Sequence, residues 1–542
     1  MSLLLLVGVL ATAVCYRVYL RYRRISISDI PGPKAESFIL GNLRQYFQSQ
    51  AGAIDFEWQE AYGDIVRFKG PFGEDRLLVA DPKALQHIYH TSGYNYSKQK
   101  ERREVSRLLS GHGLIWADGQ THKRQRRIMN PAFGSKESRA LVPIFVNSAS
   151  KLSTKWKDML STADGEELVF DMANWLARAT LDAMGIAAFD YHFGTLENAG
   201  DELGNAYANL CMEAFGNLTE RDILKQSIVP HLPQWILQFI TNNVPNRRLE
   251  QLRKTSAVAS KVAQRLIDEK AEALISGKGN RDVMSLLVQA NVSENEKTRM
   301  SNDEMIAQMR TLLLAGYETT ATSLNWILLE IARHEKVQTR LRQEIHEKEG
   351  EIRARGDAEF TAADFDSMPY LTAVLKEGLR YHPAAYSTYR EAAKDDILPL
   401  HTPITTRSGK IITEIPVPKG TKVVTSINGY NRHKAVFGPD SHVFDPDRWL
   451  TPGRVEKAAS VGVYGNLLSF AAGVRACIGW RFAVLELQAF IVELVGQFEI
   501  SLTPEALRVR REACLVMAPT IEGQLEKGNQ LPLKVKLASR SN

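Results

Sequence analysis

The chain has 542 residues and a mass of 60.8 kDa, beyond the roughly 250–300 residues at which a single hydrophobic core usually stops growing. Its composition, 44% apolar and 24% charged, is that of an ordinary globular protein and excludes disordered, collagen-like and linker-rich classes. The net charge of +6 owes half its value to Arg17, Arg21, Arg23 and Arg24 against Asp29, so the body has no basic excess of the kind that nucleic acid requires.

From Leu3 to Leu20 the chain is apolar except for Thr12 and Arg17 and contains no proline. Such a run reaches about 27 Å as a helix, near the hydrocarbon thickness of an endoplasmic-reticulum membrane. Arg21, Arg23 and Arg24 follow at once, an order that keeps the C-terminal side in the cytosol. Residues 1–24 are therefore expected to form a single-pass membrane anchor. Residues 25–33, ending in Pro31-Gly32-Pro33, are expected to be a basic, proline-rich hinge. The competing reading is a cleaved secretory signal, with Ala11-Thr12-Ala13 as the small-residue site. Against it, no Lys or Arg precedes the apolar run. Sequons at Asn95, Asn217 and Asn291 stay inert if the body is cytosolic.

Beyond the hinge, apolar residues at i, i+3, i+4 spacing predict helices over Gln48–Tyr62, Gln120–Asn130, Leu141–Leu160, Arg247–Ile275, Asp303–His334, Tyr370–Tyr381 and Trp480–Phe498. Ile65–Lys69 and Arg76–Val79 read as a hairpin, and Lys422–Ser426 and Cys514–Ala518 as short strands. Pro-, Gly- and Asp-rich loops are expected over Pro383–Lys419 and Asn431–Pro452. No repeat, low-complexity tract or linker divides residues 34–542, which are expected to form one large, mainly α domain with small β-sheets.

Four cysteines, Cys15, Cys211, Cys477 and Cys514, make no disulfide framework, and none has CxxC spacing. Cys477 stands out by context. Residues 470–479 read Phe-Ala-Ala-Gly-Val-Arg-Ala-Cys-Ile-Gly, with a helix beginning just after. A thiolate there gains from the helix dipole and from N–H groups aimed at sulfur. Gly473 and Gly479 let a flat cofactor approach the backbone, and Arg475 can reach an anionic cofactor edge. The bland alternative is a buried structural cysteine beside an ordinary loop. The pattern F-x-x-G-x-R-x-C-x-G, however, arises by chance in roughly one chain in ten thousand of this length.

With this motif the sequence resembles the cytochrome P-450 superfamily of haem-thiolate monooxygenases, microsomal in type and fungal in style. The resemblance covers residues 31–542 and implies the cytochrome P-450 fold. It implies that Cys477 is the axial ligand of haem iron in haem b, with Phe470, Gly473, Gly479 and Arg475 around the cofactor. Four further motifs agree. Ala315-Gly316-Tyr317-Glu318-Thr319-Thr320 lies in mid-helix, where glycine costs about 1 kcal/mol relative to alanine and something must need the space. Ala315 and Thr319 share a face, and the resemblance makes Glu318 and Thr319 the acid–alcohol pair that relays protons to dioxygen. A Thr bonded back to a carbonyl is the plain alternative. Glu377-Gly378-Leu379-Arg380 with Phe444-Asp445-Pro446-Asp447-Arg448 resembles the family's E-x-x-R and F-x-P-x-R pair. Glu377, Arg380 and Arg448 are then a buried structural ion group rather than catalysts. His122 and Arg126, where relatives often carry Trp-x-x-x-Arg, are expected haem-propionate contacts, as is Arg390 after His382-Pro383. Lys123, Arg124 and Arg127 are either a solvated basic face or a docking patch for a reductase.

The resemblance implies insertion of one oxygen atom from O2 into a lipophilic substrate, of terpenoid, sterol or alkyl-aromatic type as in fungal secondary metabolism. NADPH electrons are then delivered by a separate NADPH–cytochrome reductase, with cytochrome b5 as a possible further partner. The location implied is the endoplasmic reticulum membrane. The alternatives are a haem-thiolate isomerase or dehydratase and a membrane-anchored haem carrier or sensor. The expected pocket comprises Ser97–Trp116, Asn209–Phe239, Ala315, the Ser387–Thr388 turn and the Val516–Met517 turn.

Overall fold

The computed structural model describes Thr12 and residues 26–539, except 164, 198–201, 208–209, 217, 230–231, 277–281, 292–298 and 457–459. The expected anchor therefore lies almost wholly outside the described residues. Among those that are described, no helix is long and apolar enough to cross a membrane.

Residues 26–33, expected as a hinge, lie against the body. Ile27 and Ile30 belong to the main core. The Arg67 N–H donates to the Pro31 carbonyl at 2.9 Å and the Arg67 Nε to that of Ile30 at 3.1 Å. A Cβ on Gly32 would lie 1.7 Å from the Arg67 carbonyl oxygen, so this strand-like contact requires glycine.

The architecture is mainly helical with small sheets. In chain order, α1 (Leu43–Gln48) and α2 (Ala53–Tyr62) precede the hairpin β1 (Ile65–Lys69) and β2 (Asp75–Val79). Then come β3 (Tyr96–Lys98), α3 (Lys100–Ser110), α4 (Gly119–Met129), α5 (Val142–Ser161), β4 (Glu167–Asp171) and α6 (Met172–Phe189). After a run of shorter helices, α7 (Arg247–Ile275), α8 (Asn302–Arg333), α9 (Glu335–Ala354) and α10 (Pro369–Tyr381) form the centre. Four strands follow, β5 (Ser387–Ala392), β6 (Asp396–Thr405), β7 (Ile411–Val417) and β8 (Lys422–Ser426). The chain ends with α11 (Trp480–Gln497), β9 (Phe498–Leu502), β10 (Val509–Ala513), β11 (Met517–Ile521) and β12 (Pro532–Leu537).

The main sheet runs β1-β2-β8-β5-β3, with β6-β7, β10-β11 and β4-β12-β9 as smaller sheets. Two expectations fail here. The stretch expected as loop over Pro383–Lys419 contains β5, β6 and β7. The strand expected over Cys514–Ala518 is the turn between β10 and β11 and the start of β11. The helix expected over Gln48–Tyr62 is also broken, at Gly52, whose φ of +77° and close approach to the Asn428 side chain exclude a Cβ.

Helix α8 is the spine. Its 32 residues span about 48 Å. Its start is a reciprocal capping box, in which Ser301 accepts from the Glu304 N–H at 3.2 Å and Glu304 accepts from the Ser301 N–H at 3.1 Å. Helix α8 is buried on nearly all sides, against α6, α7, α10 and α11. The mid-helix glycine has a definite cause. A Cβ on Gly316 would lie 2.5 Å from the Met184 sulfur on α6, so the glycine lets α6 close onto α8. Gly378 does the same on α10, where a Cβ would lie 2.4 Å from Ile327 of α8.

Candidate active site

The loop before α11 carries the cysteine. Ala471 and Gly473 both adopt positive φ, +52° and +59°, and the Cys477 N–H closes the loop on the Phe470 carbonyl at 2.8 Å. Gly473 is required by a neighbour: a Cβ there would lie 1.9 Å from the Tyr89 carbonyl oxygen. At Gly479 a Cβ would meet nothing nearer than the Phe133 ring at 3.7 Å. Gly473 therefore has a reason within the protein itself, to let residues 89–90 pass, beside the cofactor-approach argument made from sequence.

Helix α11 starts without a side-chain N-cap, leaving its first N–H groups to other partners. Burial pushes the Cys477 thiol pKa up, while the Gly479 N–H and the Arg126 guanidinium partly oppose it and favour the thiolate. Cys477 nevertheless keeps accessible surface.

A cluster of cations lies beside the cysteine. Arg126 Nη1 donates to the Ala476 carbonyl at 2.6 Å. Arg475 reaches Asp118 and the Gly93 carbonyl, and its Nε is buried without a hydrogen-bond partner. Strand β3 pairs with β5 in the register Lys98↔Arg390, which brings Lys98 and Arg390 into the same group. Lys98 Nζ donates to the carbonyls of Leu114 (3.1 Å), Ile115 (2.5 Å) and Ala117 (2.8 Å).

Burial, then repulsion from Arg390 and Arg475, drives the Lys98 pKa far down. Burial likewise lowers Arg126 and Arg390. His122 is pressed down to about 3 by burial and by Lys98, Arg475 and Arg126, and its Nδ1 pairs with the Tyr94 hydroxyl at 2.9 Å. Asp118 is the carboxylate that Lys98, His122, Arg390 and Arg475 share. With Lys98 pushed toward its neutral form, three arginines against one carboxylate leave an excess of about two positive charges, which the two carboxylates of a cofactor would balance.

The third part is on α8. Between Met305 and Ile331 almost every residue is buried; apart from Ile306 near the start, only Ala315, Gly316 and Thr319 interrupt that run. They mark an accessible notch in the middle of the helix. The Thr319 hydroxyl donates to the Ala315 carbonyl at 2.6 Å, the back-bonded arrangement weighed from sequence. Its lone pairs remain available to accept. Glu318 is buried on a different side, where its charge is felt by Tyr207 and Cys514. Behind the notch, Glu486 of α11 is fully buried beside Thr320. Neither of its oxygens has a hydrogen bond of good geometry, and burial raises its pKa far above the carboxylate range.

The supporting ion group is more elaborate than expected. Glu377 accepts from Arg380 Nε (2.8 Å) and Nη2 (2.7 Å), the Asp445 N–H (2.8 Å) and the Trp449 indole (2.9 Å). Arg448 approaches Glu377 only to 3.5 Å. Its direct carboxylate partner is Asp440, at 2.7 Å, which the sequence reading missed. Lys98, Tyr94, Asp118 and Glu486 were missed as well.

Sulfur at a helix start, an unbalanced cation cluster and a notched core helix fit a thiolate-ligated cofactor with two carboxylates, the chemistry of haem-thiolate proteins. A family profile described as cytochrome P-450 matches residues 31–525. The chain is 33% identical to cytochrome P-450 monooxygenase 205 of Postia placenta over 553 aligned residues, 99% of this chain and 98% of that protein. It is 33% identical to cytochrome P-450 monooxygenase claP of Ampulloclitocybe clavipes over 527, covering 95% and 94%. The chain belongs to the cytochrome P-450 family, and membership implies a haem-thiolate cofactor.

Proposed function

We propose that the protein is a membrane-associated haem-thiolate monooxygenase acting on a lipophilic small molecule, with electrons from NADPH through a separate reductase. The observation that carries this reading is Cys477, enclosed yet accessible at the start of α11, beside Arg126. When bound, thiolate-ligated haem supplies dioxygen activation, because the sulfur donates electron density that favours O–O cleavage.

In this reading Cys477 would ligate the haem iron; burial raises its pKa, and the Gly479 N–H and Arg126 offset part of that rise in favour of the thiolate. Arg126, Arg390, Arg475 and Lys98 receive the two propionates, with His122 beside them. Phe470, Gly473 and Gly479 shape the loop, and Ala315 lines the opposite side. The Thr319 hydroxyl, its own proton committed to the Ala315 carbonyl, accepts a hydrogen bond from a water in the notch and holds it. Glu318, next to Thr319 in sequence but facing another side of α8, would supply protons toward that water after a change of side-chain rotamer. Glu377 and Arg380, with Arg448 and Asp440, fix the loops behind the site.

The short pocket stretches offer small, apolar or hydroxyl groups, which supports a lipophile of terpenoid, sterol or alkyl-aromatic type. The apolar run and basic flank of residues 3–24 support an endoplasmic-reticulum location with a cytosolic body. There an NADPH–cytochrome reductase, with or without cytochrome b5, is within reach.

The test is Cys477→Ser. The ferrous–carbonyl spectrum should leave the thiolate position, and NADPH-dependent product formation with added reductase should end. A retained thiolate spectrum removes Cys477 as ligand and the reading with it.

A further inference from the structure

A cavity of about 480 Å³ lies between the short helix Leu210–Phe215, the start of α7 and the loop Leu525–Gly528. Its rim is exposed and charged, with Glu213, Arg247, Glu526 and Lys527. Met212 lies in its wall and is itself buried. Gly216 shares that wall, and a Cβ on Gly216 would lie 3.2 Å from the Met212 sulfur. The glycine thus leaves the sulfur uncovered on the side it shares with the cavity.

Met212 also meets a second sulfur. Cys514 Sγ donates to Met212 Sδ at 3.2 Å. The two, with Ala518 and the flanking Phe215, form a small cluster separate from the main core. Burial above all, then Glu512 and Glu318, pushes the Cys514 thiol pKa far up, against the pull of Arg248. Cys514 therefore stays protonated, a donor and not a nucleophile. A thioether reacts through its lone pair and needs no ionisation, so Met212 is the oxidisable sulfur of the pair. Cys514 also begins the turn from β10 into β11. Its carbonyl accepts from the Tyr386 hydroxyl at 3.3 Å, and the Met517 N–H donates to the Ala384 carbonyl at 2.8 Å. The sulfur contact thus joins the cavity wall to the turn that the monooxygenase reading places at the pocket.

We propose that Met212 is a site of reversible oxidation by hydrogen peroxide entering through this cavity, and that its sulfoxide releases the β10–β11 turn. The sulfur lone pair attacks one peroxide oxygen and the O–O bond breaks. That oxygen stays on sulfur, and the other leaves as water with both peroxide protons. Sulfur loses two electrons and the peroxide gains them. The oxygen arrives from the cavity side, where Asn246 and Arg248 offer donors. The oxidised sulfur carries positive charge and no longer accepts from Cys514, whose thiol is left buried without that acceptor. An apolar cluster also becomes polar at its centre. The effect on the pocket rests on the monooxygenase reading; the oxidation itself does not.

The test exposes the full-length ferric holoprotein and its Met212→Leu variant to the same dose of hydrogen peroxide, ended with catalase. Peptide mass spectrometry should show Met212 oxidised at least about fivefold faster than the core methionines Met129, Met172, Met284 and Met368, since susceptibility follows exposure. Hydrogen exchange of residues 513–518 should rise about two- to tenfold in the oxidised wild type, the scale of one lost hydrogen bond. It should stay unchanged in Met212→Leu, whose haem has met the same peroxide. Methionine sulfoxide reductase with a dithiol should restore both the thioether and the slow exchange. Met212 oxidised no faster than the core methionines overturns the site. Oxidation without faster exchange, or an equal rise in Met212→Leu, overturns the release of the turn. The link to the pocket is read with N-dodecylimidazole and imidazole, titrated by the haem spectrum: oxidation should weaken the long ligand by about the same two- to tenfold factor and spare imidazole. A wild type without a thiolate-type ferrous–carbonyl spectrum would refute the monooxygenase reading and leave the oxidation and exchange results standing. With a sound spectrum, an unweakened N-dodecylimidazole refutes only the coupling to the pocket.

Discussion

Replacing Glu377 by alanine tests whether the loops behind the site depend on one carboxylate. Glu377, Arg380 and Arg448 are all fully buried. The side chain accepts four hydrogen bonds, from Arg380 Nε and Nη2, the Asp445 N–H and the Trp449 indole. Arg380 would keep the carbonyls of Asn431, Ser441 and Val443 at 3.0, 2.5 and 2.9 Å, but its charge would lose its only close carboxylate. Breaking a buried pair in this way costs about 3–5 kcal/mol, and each orphaned donor, Asp445 N–H and Trp449 Nε1, adds about 1–3 kcal/mol. Because the losses share one site they do not add fully, and the expected total is about 5–8 kcal/mol. That is a large fraction of the roughly 5–15 kcal/mol typical of native stability.

If all 542 residues unfolded as a unit, the transition entropy would be about 1.1 kcal/mol/K, and Tm would fall by about 5–7 °C. Local release of the 437–449 loops would show earlier, as loss of haem absorbance before the calorimetric transition. Asp440→Ala removes Arg448's direct partner, but the acid is partly exposed, 37%, so its loss should cost clearly less. Scanning calorimetry with parallel haem absorbance measures both. A Glu377→Ala protein that melts within 1–2 °C (about 1–2 kcal/mol) of the wild type and holds its haem would refute the reasoning.

How much of this was legible in the sequence follows from the range of the forces involved. The helices α4, α5, α7, α8, α10 and α11 were found to within a residue or two, because each buries a stripe set by its own period. Strands β6 and β7 were read as loop because they form a two-stranded sheet of their own with exposed apolar positions, Ile397 at 52% and Ile411 at 74%. Prolines also interrupt them, and the ladder shifts register between Pro399 and Ile404 to accommodate Pro403. At the site, Arg126, Arg390, Arg475 and Cys477 were carried by motif resemblance. Lys98 was not, because only the Lys98↔Arg390 register of a three-residue strand brings it there. Asp440 was missed for a similar reason: its bond to Arg448 depends on a loop fold with Gly438 at φ +89°. Glu486 lies in the second turn of a mostly apolar helix and carries no sequence signal that separates a buried neutral acid from a solvated one.

Three further outcomes follow from the same geometry. Deleting residues 1–25 should leave the haem protein folded while removing integral membrane fractionation, since Ile27, Asp29 and Ile30 make the docking contacts; loss of haem in that variant would mean the removed segment belongs to the fold. Burial keeps Glu486 protonated in the fold, while the unfolded chain releases that proton above about pH 4.3. Its presence therefore costs stability increasingly as pH rises from there, and the Tm advantage of Glu486→Gln should widen from acid to neutral pH; a constant difference across that range would show that the carboxyl ionises in the fold. Thr319→Ala should retain haem and ligand binding, because the hydroxyl's present bond is only to the Ala315 carbonyl and the substitution adds no bulk to the notch. What it removes is the acceptor that holds a water in the notch, so ordered proton delivery suffers, a contribution of about 10²–10⁴ in rate. With reductase and a bound lipophile, NADPH consumption should persist, hydrogen peroxide should rise and oxygenated product should fall. If NADPH remains coupled to product as in the wild type, Thr319 serves only to bend α8 and proton delivery runs elsewhere.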